Sequence, residues 1–334
     1  MSVFRTKIEI QPSRVRITHK SNLFFTGSCF TDNIGQKLSE LFFRVRVNPF
    51  GVVYNPLSVL NGLGVLLDGQ EYSEDDLEFH NELWFSWDHH SSFSHTNKEE
   101  CLNRINQEIK ASSKHLKKAD VLLVTFGTAW VYRLRKSGEV VSNCHKLPER
   151  EFERILLSPE DIVKSWSAFL PEIFRKNKDL KIIFTISPVR HWKDGAHGNQ
   201  LSKSTLLLAI NELCQTFPEN AEYFPAYEIL LDDLRDYRFY ADDLLHPNNQ
   251  AINYIWSLFE KAYFDKETLE INKELGKLIQ AKNHRVYNED TEAHKKFKKK
   301  LSEQALLMAK KYPYLEMKSF HGQNPYFLFN LFCK

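Results

Sequence analysis

Two short stretches of this 334-residue chain bring together the residue types of nucleophilic chemistry. Near the start, the apolar run Asn22-Leu23-Phe24-Phe25 stops abruptly at Thr26-Gly27-Ser28-Cys29-Phe30-Thr31-Asp32. Far downstream, Asp242-Asp243-Leu244-Leu245-His246-Pro247 stands just before an amphipathic helix. The first reads as a buried strand whose C-terminal turn presents a small nucleophile, Cys29 or Ser28, at the mouth of the next helix. The second supplies an acid and, three residues on, a histidine. A nucleophile, a general base and an orienting carboxylate are the parts that make and break an acyl intermediate. His246 is the base. Asp243, or its neighbour Asp242, would bond the far ring nitrogen and fix the tautomer. A thiol at a helix N-terminus beside a histidine is expected to ionise below the usual ~8.5.

Other polar groups cluster in the same manner. Asp88-His89-His90, with His95 nearby, has the residue types of a metal site. Adjacent strand residues point to opposite faces, so His89 and His90 would not converge, and no metal is expected. Trp87 and His89, in a segment that also holds Trp84 and Phe93, are expected to line or cover a pocket. Arg190-His191 and Asn199-Gln200 are expected to hold a polar or anionic substrate. No cofactor is implied, because the first strand is not followed by a Gly-rich dinucleotide fingerprint and the chain has no P-loop.

The elements that must position these groups follow from periodicity. Helical spacing at Ile34, Leu38, Leu41 and Phe42 predicts a helix over 32–43, and Val45 and Val47 a second strand. Pro56 opens a helix through Leu67. Residues 77–88 read as a hairpin or an irregular excursion, and 98–117 as a polar amphipathic helix. Val121-Leu122-Leu123-Val124-Thr125-Phe126 is continuously apolar, the mark of a strand buried on both faces. Trp130–Leu134 and Val140-Val141 bracket the turn signal Ser137-Gly138. Helix 158–175, strand 181–187, helix 201–215 and a short strand near 223–225 follow. Strands alternating with helices predict a three-layer α/β/α sandwich with a mainly parallel, flavodoxin-like sheet. Ligands bind such sheets beyond the strand C-termini, and the polar clusters at 27–32, 48–55, 127–130, 187–200 and 242–246 each sit after a strand.

Composition narrows the function classes. At 42% hydrophobic the chain can bury one large core and a small appendage. A net charge of +2 makes no case for nucleic acid or an acidic membrane surface. The apolar runs are strand-length, short of the ~20 residues of a membrane helix, and Met1–Lys7 shows no signal-peptide core. The cysteines at 29, 101, 144, 214 and 333 number five and are scattered without C-x-x-C spacing. That pattern points to reduced thiols in the cytoplasm. From about residue 265 the chain turns Lys/Glu-rich, so 1–264 is expected as the α/β domain and 265–334 as a helical extension. The run Lys295-Lys296-Phe297-Lys298-Lys299-Lys300 reads as a solvated helix face.

A strand followed by Gly-x-(Ser or Cys), with Asp-x-x-His before the last core helix, resembles the Ser-Gly-Asn-His (SGNH, GDSL-type) esterase superfamily. Within it, Gly27-Ser28-Cys29-Phe30 is similar to the tetrapeptide that names the GSCFA family, with Thr31 for the final alanine. Asn48–Pro56, Phe126–Tyr132, Asn143–Pro148 and Ser187–His191 resemble that family too, so the likeness covers roughly residues 20–260. The resemblance puts Cys29 at the nucleophile position and Asp243 at the carboxylate. It implies an oxyanion donor at the Gly51 N–H. It also places Ala129 where the superfamily has asparagine, leaving Thr128, Asn48 or Asn143 as substitutes. The implied function is an esterase or acyltransferase acting on a small-molecule or carbohydrate acyl ester. The missing asparagine keeps open a degraded module that only binds a carbohydrate or acyl ligand.

Overall fold

The computed structural model describes residues 5–11, 13–283, 291–315 and 317. Five parallel strands form the central sheet: β1 (Asn22–Gly27), β2 (Arg44–Val47), β5 (Val121–Phe126), β9 (Lys181–Ile186) and β10 (Ala221–Phe224). Their order is β10-β9-β5-β1-β2, so the chain runs outward from β1 in both directions. Strand alternation divides the hydrophobic interior into two cores. Leu23, Phe25, Leu123 and Ile183 face α1 (Cys29–Glu40) and α7 (Asn249–Tyr263). Phe24, Leu122, Val124, Ile182 and Phe184 face the opposite layer. That layer holds α2 (Pro56–Asp68), α3 (Lys98–Leu116), α4 (Pro159–Lys176) and α5 (Gly195–Thr216). With helices on both faces, the architecture is the expected α/β/α sandwich.

Local signals account for most element ends. Asn55 caps α2 with Pro56 in its first turn, and Ser158 and Asp161 form a capping box on α4. A hairpin of β3 (Glu78–His80) and β4 (Leu83–Phe85) turns at Asn81 and Glu82, both at positive φ. The predicted hairpin of β6 (Trp130–Leu134) and β7 (Val140–Val141) gains a third antiparallel strand, β8 (Phe152–Leu156), paired to β6. That third strand was not legible, because its only signal is pairing with a strand some twenty residues earlier.

Two helices start earlier than periodicity predicts. The first begins at Cys29 rather than 32, which makes Ser28 its N-cap. The fifth begins at Gly195, so Asn199 and Gln200, read as loop residues, lie in helix. Gly195 and Gly198 hid that start, since glycine disfavours helix interiors.

Beyond the sandwich, α8 (Lys266–Lys282) and α9 (Glu292–Lys311) pair over a small core of Ile271, Leu275, Leu278, Ala305 and Met308. Leu41 and Phe42 at the end of α1 pack against it. The residues of the Lys295–Lys300 run lie exposed on α9, Phe297 included. Among the described residues no helix is long and apolar enough to cross a membrane. The N-terminal Met1–Phe4, Cys333 and the end of the expected extension lie outside the described residues.

Candidate active site

The turn after β1 is shaped by one glycine. Gly27 sits at φ +133°, and a Cβ there would overlap the Thr125 carbonyl of the neighbouring strand. Its N–H donates to Asn48 Oδ1 at 2.8 Å, and Asn48 Nδ2 donates to Asp32 Oδ1 at 2.6 Å. Asn48 therefore ties the end of β1 to the first turn of α1. Its Oδ1 and one of its two Nδ2 hydrogens are spent on that task.

Ser28 and Cys29 part ways at this turn. Ser28 is buried, and its Oγ accepts from Phe30 N at 3.3 Å as the N-cap of α1. Cys29, first residue of the helix, keeps partial exposure. As an N1 residue its N–H has no acceptor within the helix. That N–H, which sequence reasoning missed, is a donor beside the thiol. The thiol is not pre-ionised. Burial and then the Asp32 carboxylate push it up to about 11, outweighing the helix amides and the nearby Lys203. The expected low thiol pKa is thus corrected: desolvation wins over the helix N-terminus. Asp32, exposed along one edge yet crowded by protein, is itself pushed up to about 6, mainly by desolvation.

The histidine loop is closed on itself. Ala241 N donates to His246 O at 2.8 Å, and Asn248 N to Phe239 O at 2.9 Å. Asp243 Oδ1 accepts from the N–H groups of Leu245 and His246, both at 2.9 Å. Its Oδ2 lies 2.6 Å from His246 Nδ1. The backbone bonds, chiefly, hold the Asp243 carboxyl down at about 2. An anionic Asp243 in this position sets the proton on Nδ1 and leaves Nε2 as acceptor. Both side chains stay half-exposed.

Arg190, on the loop after β9, fastens this loop to the sheet. Its guanidinium donates to the Leu244 carbonyl and stands 4.7 Å from the Tyr240 ring centre and 5.1 Å from that of Trp192. Those contacts make it a brace of the loop, while its buried Nε has no hydrogen-bond partner among the described residues. His191 follows, packed edge-on to Tyr54, with its N–H donating to Asn199 Oδ1 at 3.0 Å. Burial, then the charges of Lys203 and His246, hold His191 down at about 3, so it is neutral. Its buried Nε2 has no hydrogen-bond partner among the described residues and lies 3.1 Å from where a Gly127 Cβ would be. His191 Nε2 and Lys203 Nζ thus both stand against Gly127, the residue that follows β5 at the sheet's C-terminal edge.

Several expected residues have other tasks. The Gly51 N–H donates to Asn48 O at 2.8 Å, so it is committed within its turn. Thr128 Oγ1 sits 3.0 Å from Ser202 Oγ and accepts from Trp130 N. Asn143 Oδ1 accepts from His145 N in a local turn. His89, expected to line or cover a pocket, is instead wholly buried, ringed by Phe50, Tyr72 and Phe93 and held by Ser86 Oγ at 3.1 Å. Trp87 packs edge-on against Phe85 and Phe152 in the same cluster. Among the described residues, no three His, Cys, Asp or Glu side chains are placed to hold a metal ion.

The polar groups of an α/β sandwich are thus gathered past the ends of β1, β5 and β9, where proteins of this class bind ligands. Within that class the chain belongs to the GSCFA family, whose model matches residues 22–259. A second model, the C-terminal domain of GSCFA domain proteins, matches residues 275–320. No curated protein matches the chain. Among solved structures it is similar to one provisionally titled a platelet activating factor from Streptococcus pneumonia. Identity is 13%, coverage is 74% of this chain and 85% of that one, and the TM-score is 0.35. A likeness that loose carries no functional meaning here.

Proposed function

We propose that this protein is an SGNH-like enzyme that forms an acyl intermediate on Cys29, acting as an esterase or acyltransferase on a small-molecule or carbohydrate ester. The observation that supports it most is the Asp243–His246 pair, 2.6 Å apart, on a loop braced to the sheet edge that carries Cys29. As Cys29 Sγ bonds to the ester carbonyl carbon, its proton passes to His246 Nε2 and the carbonyl electrons move to oxygen. The Cys29 N–H donates to that oxyanion. Thiolate leaves more readily than alkoxide, so the adduct reverts unless His246 protonates the departing alcohol. The resulting thioester is resolved by water or by a second alcohol, with His246 now taking the proton.

The second reading, a binding module without turnover, draws on the commitment of the Gly51 N–H and the alanine at position 129. Mass spectrometry after exposure to short-chain nitrophenyl esters separates the two. A mass gain of one acyl group on the Cys29 peptide, abolished in Cys29→Ala, supports catalysis. Ester binding with neither adduct nor nitrophenol release would leave the binding module.

A further inference from the structure

Lys203 is a group the ester reading leaves unused. It lies on the inward face of α5 with Leu206, Ala209 and Ile210, and is 1% exposed. Its Nζ donates to the Gly127 carbonyl at 2.7 Å and to the Ser187 carbonyl at 2.8 Å, and stands 5.3 Å from the Tyr227 ring centre. No carboxylate is among those partners. A buried cation without an anion is costly, and desolvation draws this amine down to about 7. A negative charge appearing beside it would offset that cost.

The topology says where that charge appears. Gly127 follows β5 and Ser187 follows β9, so Nζ bridges the ends of two adjacent strands. On the other side of β5 lies β1, about 4.8 Å away as neighbouring strands are, with Ser28 N bonded to Thr125 O at 3.1 Å. Cys29 is the next residue. A charge on either group, thiolate or ammonium, favours the charged form of the other.

We propose that Lys203 is the positioning residue of the nucleophile: its ammonium, pinned between the Gly127 and Ser187 carbonyls, stabilises the negative charge on Cys29 Sγ once the thiol proton has left. The Asp32 carboxylate opposes it, raising the thiol where the ammonium lowers it. The thiol therefore rests neutral, and Lys203 limits the cost of ionising it when the base acts. This inference rests on Cys29 as nucleophile and is independent of which ester is used.

The test is the pH dependence of Cys29 alkylation by iodoacetamide, followed by peptide mass spectrometry. In Lys203→Met the thiol ionises at least one pH unit higher than it does beside the ammonium. Each unit lowers the thiolate population about tenfold and returns about threefold in intrinsic nucleophilicity, so the rate at pH 6.5, where Lys203 is still mostly protonated, falls about threefold per unit. Asp32→Asn moves the curve downward. A folded Lys203→Met protein whose curve superimposes on the parent's overturns the proposal.

Should Lys203→Met not fold, lysine 15N NMR on a Cys29→Asp protein decides. A carboxylate held at position 29 should raise the Lys203 titration midpoint above the parent's, since opposite charges favour each other's charged form; an unchanged midpoint overturns the proposal. An acyl adduct with an unmoved alkylation curve removes Lys203's role and leaves the ester reading. A moved curve with no adduct from any ester does the reverse.

Discussion

Ser28 and Cys29 are adjacent, similar in size and opposite in use, because one is outside the helix and the other is inside it. The N-cap hydroxyl is spent on Phe30 N, while the first helical residue keeps its side chain and N–H for the site. Ser28→Ala should therefore cost about 1 kcal/mol of stability, as lost caps do, and leave the acyl adduct intact. Cys29→Ala should do the reverse. If Ser28→Ala abolishes the adduct in a folded protein, the serine is the nucleophile after all. Gly27 is the residue that allows both placements. Gly27→Ala drives a methyl group into the Thr125 carbonyl at a φ that side chains rarely adopt. It should destabilise by roughly 3 kcal/mol or more, read as a fall in the urea midpoint; a wild-type midpoint would mean the turn has another conformation open to it.

At the level of elements, the proposed chemistry depends on a loop being held to a sheet. Leu244 takes φ +60°, an unfavourable conformation for a leucine, and its carbonyl faces the Arg190 guanidinium. The arginine and its three flanking aromatic rings, Trp192, Tyr237 and Tyr240, keep the His246 loop against the end of β9. Arg190→Met removes the carbonyl donor and keeps much of the packing. Ester turnover should drop by about tenfold or more, in line with positioning effects, while Cys29 alkylation stays at the parent rate. Loss of both together would instead place Arg190 at the nucleophile.

Over the whole molecule, buried histidines set the response to acid. Burial foremost holds His19 and His145 down at about 4, and His89 and His191 at about 3, against 6.5 for a free group. Below 6.5 the unfolded chain takes up protons at these sites that the folded chain refuses. Stability is thus complete above about 6.5 and falls as pH drops towards 4 and then 3, by at most about 1.4 kcal/mol per pH unit for each histidine. Asp32, with its carboxyl raised to about 6, works the other way between 6 and 3.8 and offsets part of the loss. Urea midpoints should decline steadily from pH 7 to 4.5, and His89→Phe should make the decline shallower. A flat profile would contradict the burial of these rings.

The apolar run Leu23-Phe24-Phe25, the unbroken run of Val121–Phe126 and the helical spacing between them were enough to read the sandwich, because strand and helix patterns are local properties of the chain. The same locality exposed Gly27, the two candidate nucleophiles and the Asp243–His246 spacing. What lay beyond reach were relations between distant residues: β8 completing the small sheet, Asn48 spending its amide on Gly27 and Asp32, and His89 sealed among aromatic rings. Lys203 is the sharpest instance, a charged residue in a helix that only the crossing of α5 behind β5 and β9 buries. The sequence alone determined which groups have the chemistry, since that resides in residue type. Tertiary structure decided which of them are free to use it, because burial and hydrogen-bond commitment arise only when segments far apart in the chain are packed together.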